Sequence, residues 1–271
     1  MTNVSITIAT VNVASPSLAR AHQLVAWFPS IDADMVILTE ISSGSGTAAI
    51  VNWFHQQGWR SLVGKCTQRE RATAIFSRFD AVPSPLRPQE DYLPGRCLIA
   101  EVSGAEASIL VVGMYLPTRG NDPMKLERKF TYMKIWGETL RELSVSHPVL
   151  LLGDLNIVPH GQNPKGFPQL ASEYDWLTRL EQARFRDMSV LTGQPPQSTW
   201  ISPSGEGYTF DHGWASDRLI SMVEDFEYLH ESRTSGITDH SAIRVQVRLG
   251  VNFIAPKLRP MPLFPEQQSL F

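Results

Sequence analysis

The stretch PVLLLGDLNIVP, Pro148 to Pro159, constrains the fold of this chain more than any other. Val149, Leu150, Leu151 and Leu152 run straight into Gly153, Asp154, Leu155 and Asn156. A short apolar run closed by turn residues reads as a strand buried on both faces. The polar pair then sits at the carboxyl end of a core strand. Side chains at i and i+2 of an extended chain point the same way, so Asp154 and Asn156 can share one site. A buried Asp that merely caps a turn would be written in the same letters. What favours a site is company: Asn12, Glu40, Tyr115, Asp211, Asp239 and His240 also come after apolar, strand-like segments.

Taken in order, Ser5 to Val11 alternates and is β-rich, a strand ending at Asn12. Ala14 to Phe28 has helical spacing, with Ser15-Pro16 as its start signal. Met35 to Leu38 is a second buried strand, ending in Thr39 and Glu40. Ala48 to Gln57 is predicted helical, with Gly58 as its stop, and Ala72 to Ser77 is a strand. Cys97 to Val102 and Ala107 to Met114 read as an antiparallel pair through Gly104, the second ending at Tyr115, Leu116 and Pro117. Asp122 to Leu143 is a long amphipathic helix, and Ser172 to Leu180 a shorter one. Ser198 to Trp200 and Tyr208 to Ala215 read as short strands, and Met222 to His230 and Ser241 to Val247 close the pattern. Strands outnumber helices and alternate with them irregularly. That predicts an α+β fold of two packed sheets flanked by helices. No internal repeat is visible.

Composition narrows the function. The chain has 271 residues, 42% of them hydrophobic, enough for one large domain or two small ones. With 24 basic and 27 acidic residues the net charge is −3, not the profile of a protein that holds nucleic acid by charge alone. A local basic patch or a metal would have to do that. Two cysteines, Cys66 and Cys97, make no disulfide framework; both read as structural, and a reducing cytoplasm is the expected compartment. The N-terminal MTNVSITIATVN has no basic n-region and no long apolar h-region, so no signal peptide is expected. No apolar run approaches the roughly 18 residues of a membrane span.

The sequence resembles the endonuclease/exonuclease/phosphatase superfamily, and within it the exonuclease III-like nucleases. The resemblance rests on VNV around Asn12, LTE ending at Glu40, AIFSR at 74–78, and YLP at 115–117 with Lys129 downstream. GDLNIVP at 153–159, STW at 198–200, FDHGWAS at 210–216 and TDHSA at 238–242 complete it. Each piece alone is weak; eight in the family's order are a strong signal. It covers about residues 5–249 and implies a four-layer α/β sandwich with mostly antiparallel sheets. It also implies a monomeric phosphodiester hydrolase acting on DNA, in repair. Such a reaction needs an activated water and compensation for charge on the phosphoryl oxygens. Glu40 offers a hard oxygen ligand suited to Mg²⁺ or Mn²⁺. Asn12 can hold that metal shell or a neighbouring carboxylate, and Asp239 is the family's second carboxylate near the metal. By the same resemblance Asp154 orients or deprotonates the attacking water and Asn156 contacts the phosphate. His240 donates to a phosphoryl oxygen or manages the proton, Asp211 fixes its tautomer, and Tyr115 bonds the phosphate or leaving group.

The chain also departs from the family's pattern. Thr39 and Ser42 stand where Gln and Lys are frequent, Ala72-Thr73 replaces Gly-Val, and the segment between Trp200 and Asp211 is short. Core hydrolysis is not threatened by these changes, but abasic-site selectivity is expected to be weaker. Contacts to DNA are expected from Arg78, Lys129 and Trp200, within a basic set of Arg69, Arg71, Arg96, Arg119, Lys125 and Arg128. Trp200, Trp214 and Tyr208 could stack on bases, although aromatics in short strands are more often core. Rival readings are a phosphatase or phosphodiesterase for small or lipid phosphoesters, and a non-catalytic clamp-tethered DNA-binding module. From Gly250 onward Pro256, Pro260, Pro262 and Pro265 exclude a helix or central strand, so 250–271 reads as an extended tail after a catalytic domain of 1–249. Its end, Gln267, Gln268, Ser269, Leu270 and Phe271, resembles the pentapeptide that binds the bacterial DNA polymerase β sliding clamp. Gln267, Leu270 and Phe271 would be the contact residues, and Gln268 stands where Leu is frequent.

Overall fold

A computed structural model describes residues 5–90, 92–103, 108–120, 122–162, 165 and 169–249. The tail, with Gln267, Leu270 and Phe271, and the turn at Gly104 lie outside the described residues. In chain order the elements are β1 (Ser5–Asn12), α1 (Leu18–Ile31), β2 (Met35–Ile41), α2 (Ser45–Gln56), β3 (Arg60–Val63), β4 (Ala72–Ser77) and β5 (Ala81–Pro83). Then come β6 (Cys97–Val102), β7 (Ile109–Tyr115), α3 (Pro123–Ser146), β8 (Val149–Asp154), α4 (Ala171–Gln182), β9 (Phe185–Asp187) and α5 (Met188–Leu191). The last are β10 (Trp200–Ile201), β11 (Gly207–Tyr208), β12 (Asp211–Ser216), β13 (Val223–Leu229), α6 (Glu231–Thr234) and β14 (Ala242–Arg248).

The described strands form two six-stranded sheets, β13-β14-β1-β2-β4-β3 and β5-β6-β7-β8-β12-β9, and a small β10-β11 hairpin. Among them only β1/β2 and β7/β8 are parallel; every other pair is antiparallel. Each parallel pair is bridged by a helix, α1 or α3, as parallel strands require.

Alternation along the strands sorts the apolar side chains into three layers. Ile6, Ile8, Met35, Ile37, Leu150, Leu152, Val111 and Val245 meet between the sheets. Val36, Leu38 and Phe76 turn outward to meet Leu24 and Phe28 of α1 and Phe54 of α2. Leu110, Val112 and Leu151 turn outward to meet Tyr132, Met133, Trp136 and Trp176 of α3 and α4. Strands buried on both faces are why the runs at 35–38 and 149–152 are continuously apolar. The expected four-layer α+β sandwich is what forms.

Local boundaries moved for physical reasons. The first helix begins at Leu18 rather than Ala14, because Ser17 caps it, its side chain accepting the Arg20 N–H. Tyr208 to Ala215 is not one strand. It breaks at Thr209-Phe210, where the N–H groups of Phe210 and Asp211 both turn to Thr199 Oγ1 (3.0 and 3.1 Å). Among the described residues no helix is long and apolar enough to cross a membrane.

Candidate active site

The carboxyl ends of β1, β2, β7 and β8 meet at one end of the sandwich, and two hydrogen bonds tie the sheets together there. Asn12 Nδ2 donates to Asp154 Oδ2 (2.8 Å) and also to Glu40 Oε1 (3.0 Å). Tyr115 Oη donates to the same Glu40 oxygen (2.9 Å). Asn12 Oδ1 accepts the Ala14 N–H. Asn12 is therefore a tether between two carboxylates; of its two expected uses, the structure shows the second.

Two of these chain ends adopt left-handed backbone. Glu40 has φ +57° and Asn156 φ +49°. Such residues persist only where their surroundings over-determine them, and they gather at functional sites. The Glu40 carbonyl is held by the Ser15 N–H (2.9 Å). Asn156 is held three ways: its N–H donates to Asp154 Oδ1 (2.9 Å), its Nδ2 to the Leu116 carbonyl (2.9 Å), and its carbonyl accepts Lys129 Nζ (2.8 Å). Gly153 precedes them at φ +145°, where a Cβ would lie 2.0 Å from the Met114 carbonyl oxygen. No side chain fits there, which explains the Gly of GDLN.

The antiparallel neighbours bring the rest. Asp211 opens β12 directly opposite Asp154, and His240 lies just before β14, which pairs with β1. His240 Nδ1 and Asp211 Oδ2 are 2.7 Å apart. That leaves Nε2 as the imidazole's second nitrogen for the cleft it lines. Ligand atoms of Asp154, Asp211 and His240 all lie within 4.8 Å of one another. Asp239 is exposed, and its Oδ2 accepts Trp200 Nε1 (3.0 Å).

Burial sets the charges. Desolvation, then the neighbouring Asp211, push the Asp154 carboxyl up to about 8. Burial alone would lower His240, but the charge and hydrogen bond of Asp211 outweigh it and raise the imidazole to about 10. Burial, with Glu40 beside it, drives the Tyr115 phenol well above its usual range, so it stays a donor. The Arg96 guanidinium packs 4.3 Å from the centre of that ring.

The donors here fit a hard divalent cation. Glu40, Asp239 and Asp154 are oxygen ligands, and Asp211 Oδ1 is buried with no hydrogen-bond partner among the described residues. A buried carboxylate oxygen without a partner needs an ion, a proton or water. The tightest convergence is Asp154, Asp211 and His240, beside rather than on the expected set of Glu40, Asn12 and Asp239.

Above these groups opens a cleft of about 480 Å³. Arg119, Lys125, Trp200, Tyr208 and Phe210 are among the residues that line it. Trp200 thus lines the cleft, with its Nε1 on Asp239. Two expected DNA contacts are corrected. Lys129 is wholly buried, its ammonium on Glu173 Oε1 (2.5 Å), so its charge cannot meet a phosphate backbone. Arg78 comes just after β4, which runs antiparallel to β2. It therefore emerges at the end of the sheet away from Glu40, paired with Asp34 and packed on Trp59. Arg96 and Arg128 are turned inward to share Glu70. Sequence reasoning missed Glu173 and the cap made by Thr199; the only signal for the first was an acid in the opening turn of α4, the ordinary place for one.

Two mixed sheets with an Asn–Asp–Glu and His–Asp centre at the shared carboxyl ends of their parallel strands define a class of phosphoesterase folds. The chain belongs to the Endonuclease/Exonuclease/phosphatase family, whose model matches residues 9–220. No curated protein sequence matches it. Among solved structures it is similar to a 3′-5′ exonuclease from Neisseria meningitidis, with a TM-score of 0.74, 21% identity, and coverage of 89% of this chain and 99% of that one. A 3′ phosphatase from Neisseria bound to a product DNA hairpin gives 0.73, 22%, and coverage of 89% and 99% respectively. An AP endonuclease from Archaeoglobus fulgidus gives 0.72, 18%, and coverage of 89% and 98%. At these identities the likeness speaks for the fold.

Proposed function

We propose that this protein is a divalent-metal-dependent phosphodiesterase that hydrolyses DNA. One observation carries the reading: a buried, proton-poised Asp154 faces the His240–Asp211 pair in a cleft lined by cationic and aromatic residues. Proteins of the same fold include one bound to a DNA product and one described as an exonuclease, which supports DNA as the substrate. Mg²⁺ or Mn²⁺, held by Glu40 and Asp239, would neutralise charge on a phosphoryl oxygen.

The chain's own groups do the rest. Asp154 accepts the proton of the attacking water as its oxygen bonds phosphorus. Asn12 and the Asn156 N–H fix both carboxylate oxygens, so the base is aimed before substrate arrives. A general base works best with a pKa near the operating pH, which burial gives Asp154. The protonated His240, held through Nδ1 by Asp211, presents its second N–H to a phosphoryl oxygen. Tyr115 stays protonated and can hydrogen-bond the same group or the departing oxygen, which takes its proton from solvent water as its bond to phosphorus breaks.

The wider reading is a cytoplasmic, monomeric repair enzyme of broad substrate range. The short 201–210 segment supports weak abasic selectivity, and the 267–271 tail supports tethering to the β sliding clamp. A gel comparing single-stranded, duplex, nicked, abasic and 3′-phosphorylated oligonucleotides in Mg²⁺, Mn²⁺ and EDTA tests the core. Cleavage in EDTA equal to that in Mg²⁺ would sink the metal, and release of phosphate alone would make the protein a phosphatase. Clamp titration with protein ending at Ser269 tests the tail: truncation should abolish binding and spare hydrolysis.

A further inference from the structure

Two ions lie beneath the cleft floor with no part in the chemistry above. Lys129, in the second turn of α3, and Glu173, in the first turn of α4, are both 0% exposed. Lys129 Nζ donates to Glu173 Oε1 (2.5 Å) and to the Asn156 carbonyl (2.8 Å). Glu173 Oε2 accepts Arg119 Nε (3.1 Å) and the Leu170 N–H (2.8 Å). A buried ion pair is weak as a source of stability, because apolar groups of the same volume do as well or better. Burial in fact lowers the Lys129 ammonium from its ordinary value, the mark of a charge held against desolvation. The partners suggest its use, since apart from the Leu170 N–H at the start of α4 the contacts outside the pair end on Asn156, in the site, and on Arg119, which lines the cleft.

Asn156 makes the point sharper. Its left-handed backbone carries the N–H that fixes Asp154 Oδ1. Of its three bonds, that one and the bond from Nδ2 to the Leu116 carbonyl stay at the strand ends of the sheet itself. Lys129 alone among its three partners reaches it from a helix outside the sheet. We propose that Lys129 and Glu173 are positioning residues. The pair fastens α3 and α4 to the turn after β8, so that the water-activating carboxylate and Arg119 in the cleft lining share one fixed frame. This rests on the hydrolytic reading of the site.

The test separates position from stability. Lys129→Met removes one of the two cations on Glu173, and Glu173→Gln removes the carboxylate both cations share, so both should melt lower, the second more, and both should turn over more slowly. The double variant, Lys129→Met with Glu173→Gln, removes the two fully buried charges and keeps both volumes, leaving Arg119, the one cation of the set that lines the cleft. Its melting temperature should return to that of the wild type. Its kcat should not: we expect a loss on the order of 10–100-fold, because small misplacements of a catalytic group cost that much. KM for a small diester, bis(p-nitrophenyl) phosphate, should stay as in the wild type. Wild-type kcat in the double variant, or kcat recovering in step with melting, would overturn the proposal. If the double variant stays unstable, the single variants are assayed in the cold with folding checked by near-ultraviolet circular dichroism. Folded Lys129→Met at full kcat overturns the proposal equally. Wild-type protein inert toward oligonucleotide and diester in every divalent metal would instead strike the hydrolytic reading, and the proposal with it.

Discussion

The two sheets are built to one plan and end in different chemistry. Written as β13-β14-β1-β2-β4-β3 and β5-β6-β7-β8-β12-β9, each has its parallel pair in third and fourth place, bridged by a helix. The third strand ends in Asn12 in one and Tyr115 in the other, and each reaches across to the opposite sheet's carboxylate. Yet Glu40 is half-buried and Asp239 exposed, whereas Asp154 and Asp211 are each 1% exposed. The first sheet offers accessible oxygens suited to a cation from solvent, and the second offers buried carboxyls, of which Asp154 is raised by that burial. One architecture, repeated without a visible sequence repeat, divides two tasks by depth of burial.

Asp154→Asn tests that division hardest. Hydrolysis should fall by something on the order of 10²–10⁴. Stability should move the other way. Asp154 is raised from 3.8 to about 8 in the folded protein, so the fold binds the extra proton and loses stability as pH climbs through that window. At the upper end the wild type carries a costly buried charge that Asn lacks. In EDTA near that pH, Asp154→Asn should melt above the wild type by scanning fluorimetry; melting below it would break the contrast. Glu40→Gln should cost on the order of 10²–10³ in rate and raise the metal concentration needed for half-maximal activity. Because Glu40 is half-buried, its melting temperature should barely change, and a large drop would show that the first sheet's end is no more open than the second's.

A third prediction concerns His240, whose window overlaps that of Asp154 at its lower end. Its pKa is raised from 6.5 to about 10, so its stabilising contribution is complete below the first value and lost as pH passes the second. Wild-type protein in EDTA should therefore melt lower across that range, and Asp211→Asn should flatten the slope there. The smallest effect belongs to the far end of the first sheet. Arg78→Gln should leave turnover unchanged and cost about 1 kcal/mol, or roughly 2–4 °C, from its pair with Asp34 and its packing on Trp59.

Legibility obeys the same physics. The runs at 35–38 and 149–152 announce themselves because strands covered on both faces exclude polar residues, and the site residues are legible as the polar groups at the carboxyl ends of those runs. The direction of pairing is not written locally. Arg78 stands after an apolar strand just as Asp154 ends one, but β4 is antiparallel to β2, so it leaves at the wrong end. Lys129 reads as surface charge in the sequence because its partner, Glu173, lies 44 residues away on another helix. Thr199 breaks a strand through its hydroxyl, and only the folded hairpin shows where that hydroxyl points.

The pairing of β1 with β14 has a consequence in time. Ser5 faces Arg248, and His240 enters the site only on the turn that leads into β14. Contacts this distant in sequence form late, because the entropy of closing so long a loop is lost before the pairing returns anything. A chain emerging from the ribosome, or refolding from denaturant, therefore holds Glu40 and Asp154 well before it has a His240–Asp211 pair. The site should be completed in one late step, when the first sheet accepts its final strand.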